Sequence, residues 1–189
     1  MGFKYVTQDE SNYNQQLERL VQQSFDALEL CALFEDKQNI LDTIDSIEDL
    51  FSHTVDIIKK RIPILAHALF VVNEETSDMY LQYCFPQEKQ AYMSNTFENL
   101  VDSGYVAWAL REKRLVSSVT KDGNYQVLLH SVTTQKNVHG LFVALVSPHL
   151  FAINSIDSLL FSILLRSTAF AYENFILYSR VEKQKAELS

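Results

Sequence analysis

Four glycines and three prolines among 189 residues are too few for a glycine-rich phosphate loop or for an enzyme built mainly of loops. The two cysteines, Cys31 and Cys84, give neither a disulfide framework nor zinc-ligand spacing, and both are expected as small buried hydrophobes. Five histidines (His53, His67, His130, His139, His149) are scattered without metal-ligand spacing, so no metal and no cofactor is expected. Their better ligand candidates are His67 and His130, which sit in apolar runs. No apolar run approaches the roughly 18–20 residues of a membrane span. The N-terminus lacks a signal-peptide core, and Val6 breaks the myristoylation pattern. The expectation is a cytoplasmic chain without a membrane partner. Sixteen basic residues stand against 24 acidic ones, a net charge of -8. That balance lacks the clustered positive charge a nucleic acid needs. Neither a Ser-His-Asp nor a Cys-His nor a paired-carboxylate pattern stands out locally, and no enzyme is expected.

What is present is ordinary globular material, 47% hydrophobic and 21% charged. The length suits one domain with accessory helices. Residues 1–12 are polar and expected to be flexible. From Tyr13 the apolar positions Leu17, Leu20, Val21, Phe25 and Leu28 recur at three and four, which predicts an amphipathic helix within 13–38. Ile40, Ile44, Ile47, Phe51, Val55, Ile58 and Ile62 predict a second helix, stopped by Pro63. Strands are expected at Leu65–Val72, Met79–Phe85, Leu115–Thr120, Tyr125–Thr133 and Val138–Val146, with short helices between the second and third. Asp122-Gly123 supplies a tight turn. The last strand is apolar on both faces, so it should lie centrally in a covered sheet.

From Ile153 onward there is neither glycine nor proline. Alternate steps of four and three from Ile156 reach Leu160, Ile163, Ser167, Phe170, Asn174, Leu177, Val181, Gln184 and Leu188, a heptad seam with polar interruptions. Such a helix is roughly 50 Å long at ~1.5 Å per residue. A globule of this size has a radius of gyration of only about 16 Å. The helix should therefore project, with its seam covered by a second copy of the chain. Leu17, Leu20, Leu28, Ile156, Leu160, Ile163, Phe170, Asn174, Leu177 and Val181 are the expected interface of this homodimer.

The order of elements predicts an α+β fold around a central antiparallel sheet of five or six strands, with helices on both faces and a long C-terminal helix. Three stretches carry a resemblance to a known family. They are Phe97-x-x-Leu100-Val101-x-x-Gly104-x-x-Ala107-Trp108-Ala109-Leu110, His139-Gly140-Leu141-Phe142-Val143-Ala144-Leu145, and Ala169-Phe170-Ala171-Tyr172-Glu173-Asn174-Phe175-x-Leu177-Tyr178. Together they resemble a GAF domain over roughly Ile40–Arg180. The resemblance implies a GAF-like domain at 39–180, a preceding signalling helix at 13–38, and the start of a C-terminal linker helix at 181–189.

It also implies a sensory module of a bacterial-type signalling protein. Its output domain, such as a histidine kinase or a diguanylate cyclase, would lie outside this chain. Neither Cys31 nor Cys84 has the context of the family's chromophore-binding cysteines. The cyclic-nucleotide motif of the family and the cysteine cluster of its sulfoxide reductases are absent too. A small-molecule pocket in this family would be enclosed by the segments holding Tyr83, Phe97, Tyr105, Trp108, Tyr125, His130 and Phe142. The alternative is that these side chains fill the space and the chain is a ligand-free dimerisation and transmission module.

Overall fold

The computed structural model describes residues 13, 15–17, 19–22, 28, 46–73, 75–148 and 153–187. The expectations for 1–12, for most of the helix within 13–38 and for the start of the second helix at Ile40 and Ile44 lie outside the described residues. Of the first helix, Leu17, Leu20, Val21 and Leu28 are described; they are helical and exposed.

Helix α1 (Ile47–Ile58) begins at Ser46, whose hydroxyl accepts the Asp49 amide at 3.1 Å, with Glu48 and Asp49 in the positive first turn. Strands β1 (Ile64–Val72) and β2 (Met79–Phe85) follow as an antiparallel pair. A 3-10 turn leads into α2 (Gln90–Asp102). Gly104, at a φ of +78°, breaks the chain sharply before α3 (Tyr105–Glu112). Then come β3 (Val116–Val119), β4 (Gln126–Thr133), β5 (Val138–Val146) and the 33-residue α4 (Ser155–Glu187). Asn154 starts this last helix by accepting the Asp157 amide at 2.8 Å. No helix among the described residues is long and apolar enough to cross a membrane.

The sheet has five antiparallel strands in the order β2-β1-β5-β4-β3. The central strand is β5, as its two apolar faces predict. Phe142, Ala144 and Val146 enter a core formed with α1 and α4. Leu141, Val143 and Leu145 enter a second core formed with α2 and α3. The terminal helices thus cover one face of the sheet and the short middle helices the other.

Polar contacts fix how α1 and α4 lie together. The Arg61 guanidinium donates from Nε to Asp157 at 3.0 Å, with both side chains largely buried. The Thr54 and Thr168 hydroxyls meet 2.7 Å apart in the buried interface. Farther along α4, Glu173 accepts hydrogen bonds from Asn137 and from Thr134 (3.3 Å), which docks the tip of the β4–β5 hairpin.

One face of α4 is consumed by this packing. Leu160, Phe161, Leu164, Leu165, Thr168 and Ala169 are buried. Leu160 therefore departs from the interface expected of it: it is 1% exposed in the protomer's own core. Ile156 is half-buried. The stripe left in water runs through Leu159, Ile163, Phe170, Asn174, Leu177 and Val181, so it enters the expected seam one residue earlier, at Leu159. The reason is geometric. A helix of 3.6 residues per turn drifts against a strict seven-residue seam, and the sheet claims the positions on the inner side of that drift.

Gly140 lies in β5 against β1, where an added Cβ would run into the Phe70 carbonyl oxygen. Replacing Gly140 by Ala is expected to destabilise the domain by about 1–3 kcal/mol, the usual range for overpacking. Denaturant unfolding of the two proteins measures this directly.

Two histidines are sealed under the terminal helices. His67 is ringed by Tyr83, Phe85 and Phe142, and neither ring nitrogen finds a hydrogen-bond partner among the described residues. His130 donates from Nδ1 to the Ser131 carbonyl oxygen, 2.8 Å away. Burial lowers both to about 4, helped at His67 by the Lys59 charge and at His130 by Arg166. The unfolded chain, with histidines near 6.5, binds more protons between those values. Stability is therefore full above pH 6.5 and declines as the pH falls towards 4. His67→Phe should reduce the slope of stability against pH in that window by up to one proton, about 1.4 kcal/mol per pH unit.

Candidate functional site

Among the described residues the outermost strand β3 pairs only with β4, so its other edge faces outward. The Thr120 amide donates to the Tyr125 carbonyl at 2.9 Å. By the alternation of an antiparallel ladder, Ser118 then also turns its backbone groups to β4, while those of Ser117 and Val119 turn away. They line a groove of about 660 Å³, a size suited to a small molecule. Its other wall is α2, through Thr96, Asn99 and Leu100, with Ser103 just past its end and Tyr105 at the start of α3. Ser118, Thr120 and Lys121 complete the strand side, and Gln126 of β4 also lines it. The groove continues past Thr96 and Asn99 into a smaller recess of about 260 Å³ reaching Tyr92, Asn95 and Asp122.

A latch of polar and aromatic groups closes that recess. Tyr92 on α2 donates its hydroxyl to the Asp122 carboxylate, 2.9 and 3.0 Å from the two oxygens. Asp122 also accepts from the Thr120 hydroxyl at 2.6 Å, the Asn124 amide at 3.1 Å and the Asn124 side chain at 2.7 Å. Lys89 donates to the Tyr125 hydroxyl at 2.8 Å and lies over the rings of Tyr92 and Tyr125, 5.2 and 4.8 Å from their centroids. The two rings meet edge to face at 5.5 Å. The Thr120 and Asn124 hydrogen bonds hold the Asp122 carboxyl well below the usual carboxylate range. The Tyr125 hydrogen bond raises Lys89, and burial raises the Tyr92 hydroxyl with its Asp122 bond adding to the effect.

Of the residues expected around a pocket, Tyr105 lines this groove and Tyr125 stands in the latch. Phe97 stacks on Phe70 at 3.8 Å and lines a separate surface recess with Met79 and Leu81. Trp108 tilts against Tyr105 at 5.9 Å on the outer side of α3 and is 40% exposed. Tyr83, His130 and Phe142 lie on the opposite face of the sheet, under α1 and α4. The structure therefore does not bring the seven into one cavity. Alternation along a strand separates residues by face, but no sequence signal says which face the short helices cover. The residues the aromatic reading passed over are Ser117, Ser118, Lys121, Asn99 and Tyr92. Their signal was the polar character of β3, which contrasts with the other strands.

Removing the Thr120 hydroxyl tests the latch. In Thr120→Val the Asp122 carboxyl is expected to rise towards the ordinary carboxylate range, followed by carbon-detected NMR titration. An unchanged Asp122 titration would show that the latch does not depend on Thr120.

Comparison with known proteins agrees at the level of fold. No protein-family model matches the sequence, and no curated protein matches it. Among solved structures, the chain is similar to the GAF domain of a protein assigned as a sensor histidine kinase in Pseudomonas syringae pv. tomato. The two are 12% identical with a TM-score of 0.58, covering 92% of this chain and 99% of that one. It is also similar to a GAF domain/HD domain protein from Geobacter sulfurreducens, at 11% identity and TM-score 0.54, over 71% of this chain and 97% of that one. A third is the GAF domain of a two-component sensor histidine kinase from Bacillus halodurans, at 14% identity and TM-score 0.50, over 72% and 99%. The five-stranded antiparallel sheet, the helices on its two faces and the long C-terminal helix make this a GAF-like fold.

Proposed function

We propose that the chain is a sensory module that binds a small molecule in the groove between β3 and α2 and passes the event to an output domain through paired terminal helices. What carries this reading is the division between the two faces of the sheet. An open groove lies on one face, and the other carries a helix of 33 residues whose outer stripe stands in water. Ile163, Phe170, Leu177 and Val181 are each more than 40% exposed. Covering such side chains is worth about 1.5–3 kcal/mol each when complete. A second copy of the chain supplies that cover, and Asn174 on the stripe would fix register and direction at some cost in stability. Leu17, Leu20 and Leu28, exposed in the described part of the first helix, would join the same interface.

Two of the structurally similar domains come from sensor histidine kinases, which supports an output of the histidine-kinase type beyond this chain. Diguanylate cyclase output fits the same helical connection. In this reading α4 is the transmitter, because it touches the sheet core along its first half and continues beyond it. A ligand that moves β3 acts on α4 through the β3–β4 pair and through Leu115, whose amide donates to Ser162 at 3.1 Å.

Sedimentation tests the transmission half. The wild-type chain is expected to be dimeric at tens of micromolar. Phe170→Glu/Leu177→Glu should be monomeric with unchanged circular dichroism, since both positions lie outside the protomer core. A monomeric wild type sinks the dimer and the transmission route. For the sensing half, a metabolite panel is screened by thermal shift, with groove-filling Ser118→Trp as control. A ligand should raise the midpoint of the wild type and not of the variant. A panel without a single such ligand favours the ligand-free transmission module.

A further inference from the structure

The groove carries a charge balance that the rest of the molecule does not share. The chain has a net charge of -8. None of the eleven groove-lining residues is acidic, and one, Lys121, is basic. The carboxylate next to it in sequence is Asp122, which would ordinarily neutralise it. That carboxylate is fully engaged elsewhere: four donors point at its two oxygens, the Thr120 hydroxyl, the Asn124 amide and side chain, and the Tyr92 hydroxyl shared between both. Two carboxylate oxygens offer about four lone-pair sites, so this set saturates them. Asp122 keeps its charge, but with its lone pairs taken it forms no ion pair with Lys121 among the described residues, and the Lys121 ammonium is available to the groove.

The remaining lining narrows the partner further. Leu100, Val119 and the Tyr105 ring are its apolar side chains, and the other eight lining residues are polar. The outward edge of β3 offers alternating backbone donors and acceptors at Ser117 and Val119. Ser118 adds a hydroxyl. Asn99 has its amide nitrogen turned to Asn95, which leaves its oxygen as an acceptor. Groups that both donate and accept match this pattern, and hydroxyls do so most simply. We propose that the groove takes a small hydroxylated organic anion. Its carboxylate or phosphate is held by Lys121, and its hydroxyls meet Ser118, Asn99 and the edge of β3. Tyr92 is a positioning residue, because it holds Asp122 away from Lys121. The proposal rests on the reading of this groove as the ligand site.

Four hexose-sized probes separate the possibilities by calorimetry on the whole chain at low ionic strength: gluconate, glucose 6-phosphate, glucose and glucosamine. At least one of the two anions is expected to bind ten-fold or more tightly than glucose, and glucosamine more weakly still. Gluconate alone identifies a carboxylate ligand, and glucose 6-phosphate alone a phosphate ligand. Lys121→Gln should lower anion affinity at least ten-fold with unchanged circular dichroism. Tyr92→Phe should lower it about three-fold, and adding Asp122→Asn should restore it, a rescue that a merely structural role for Tyr92 does not produce. Glucose binding as tightly as the anions, or anion binding indifferent to Lys121→Gln, overturns the proposal. If such glucose binding is lost in Ser118→Trp, the groove remains a ligand site and only the anion is wrong. If none of the four probes binds at millimolar concentration, the anion proposal fails. The groove reading then stands or falls with the wider metabolite panel.

Discussion

The structure depends on one strand having to be dry on both sides. Residues 141–146 of β5 are completely buried, and their side chains alternate between two separate cores. A strand of this kind cannot lie at an edge or face water, because either position would expose several large apolar groups. It needs neighbours on both sides and a helical layer on each face. The two layers differ in kind. One consists of α1 and the long α4, the other of the short α2 and α3. A middle strand that is in contact with both places the groove and the long helix α4 on opposite faces of a single sheet.

The helical layer over the first core is aligned by polar contacts as well as by apolar packing. Thr54 and Thr168 each lie within hydrogen-bond distance of their own helix's carbonyl four residues back, at 3.0 and 2.8 Å, and of each other at 2.7 Å. Two hydroxyl protons serve these three contacts, so the pair is tied to one relative placement of α1 and α4. The Arg61–Asp157 pair fixes the beginning of α4, and Glu173 joins its middle to the β4–β5 hairpin. Burial without these partners would cost more than it gains, since a buried polar group left unpaired is expensive. Together they tie the first half of α4 to the sheet and to α1. The exposed apolar stripe continues on the half that has left the body.

On the other face the local chemistry is different. The β3–β4 turn is drawn to α2 by Tyr92 and by Lys89 held over two tyrosine rings. These contacts are on the surface and individually modest. Their effect is directional: with Thr120 and Asn124, Tyr92 settles where Asp122 points. The short strand β3 lies between this latch and the Ser162 contact to α4. It is therefore the element through which the groove face and the terminal-helix face meet.

The sequence by itself determined the elements and their order. The two-faced apolar pattern of 138–146 placed β5 at the centre, and the stripes of 40–62 and 156–181 marked the helices over one of its faces. The absence of glycine and proline after Ile153 determined a single long helix, and three short resemblances pointed to the GAF-like fold. Periodicity reports which residues share a face of one element, and that much was legible. It does not report which element lies opposite, and only the tertiary structure decided that. Leu160 and Ile163 look alike on a heptad wheel, yet the sheet buries the first and leaves the second 41% exposed. Tyr83, His130 and Phe142 look like companions of Tyr105, but alternation along their strands turned them to the far core. The charge of the groove was equally hidden. Lys121 and Asp122 are neighbours in sequence, and nothing in the sequence says that Tyr92, brought from thirty residues before Asp122, joins Thr120 and Asn124 in holding that carboxylate.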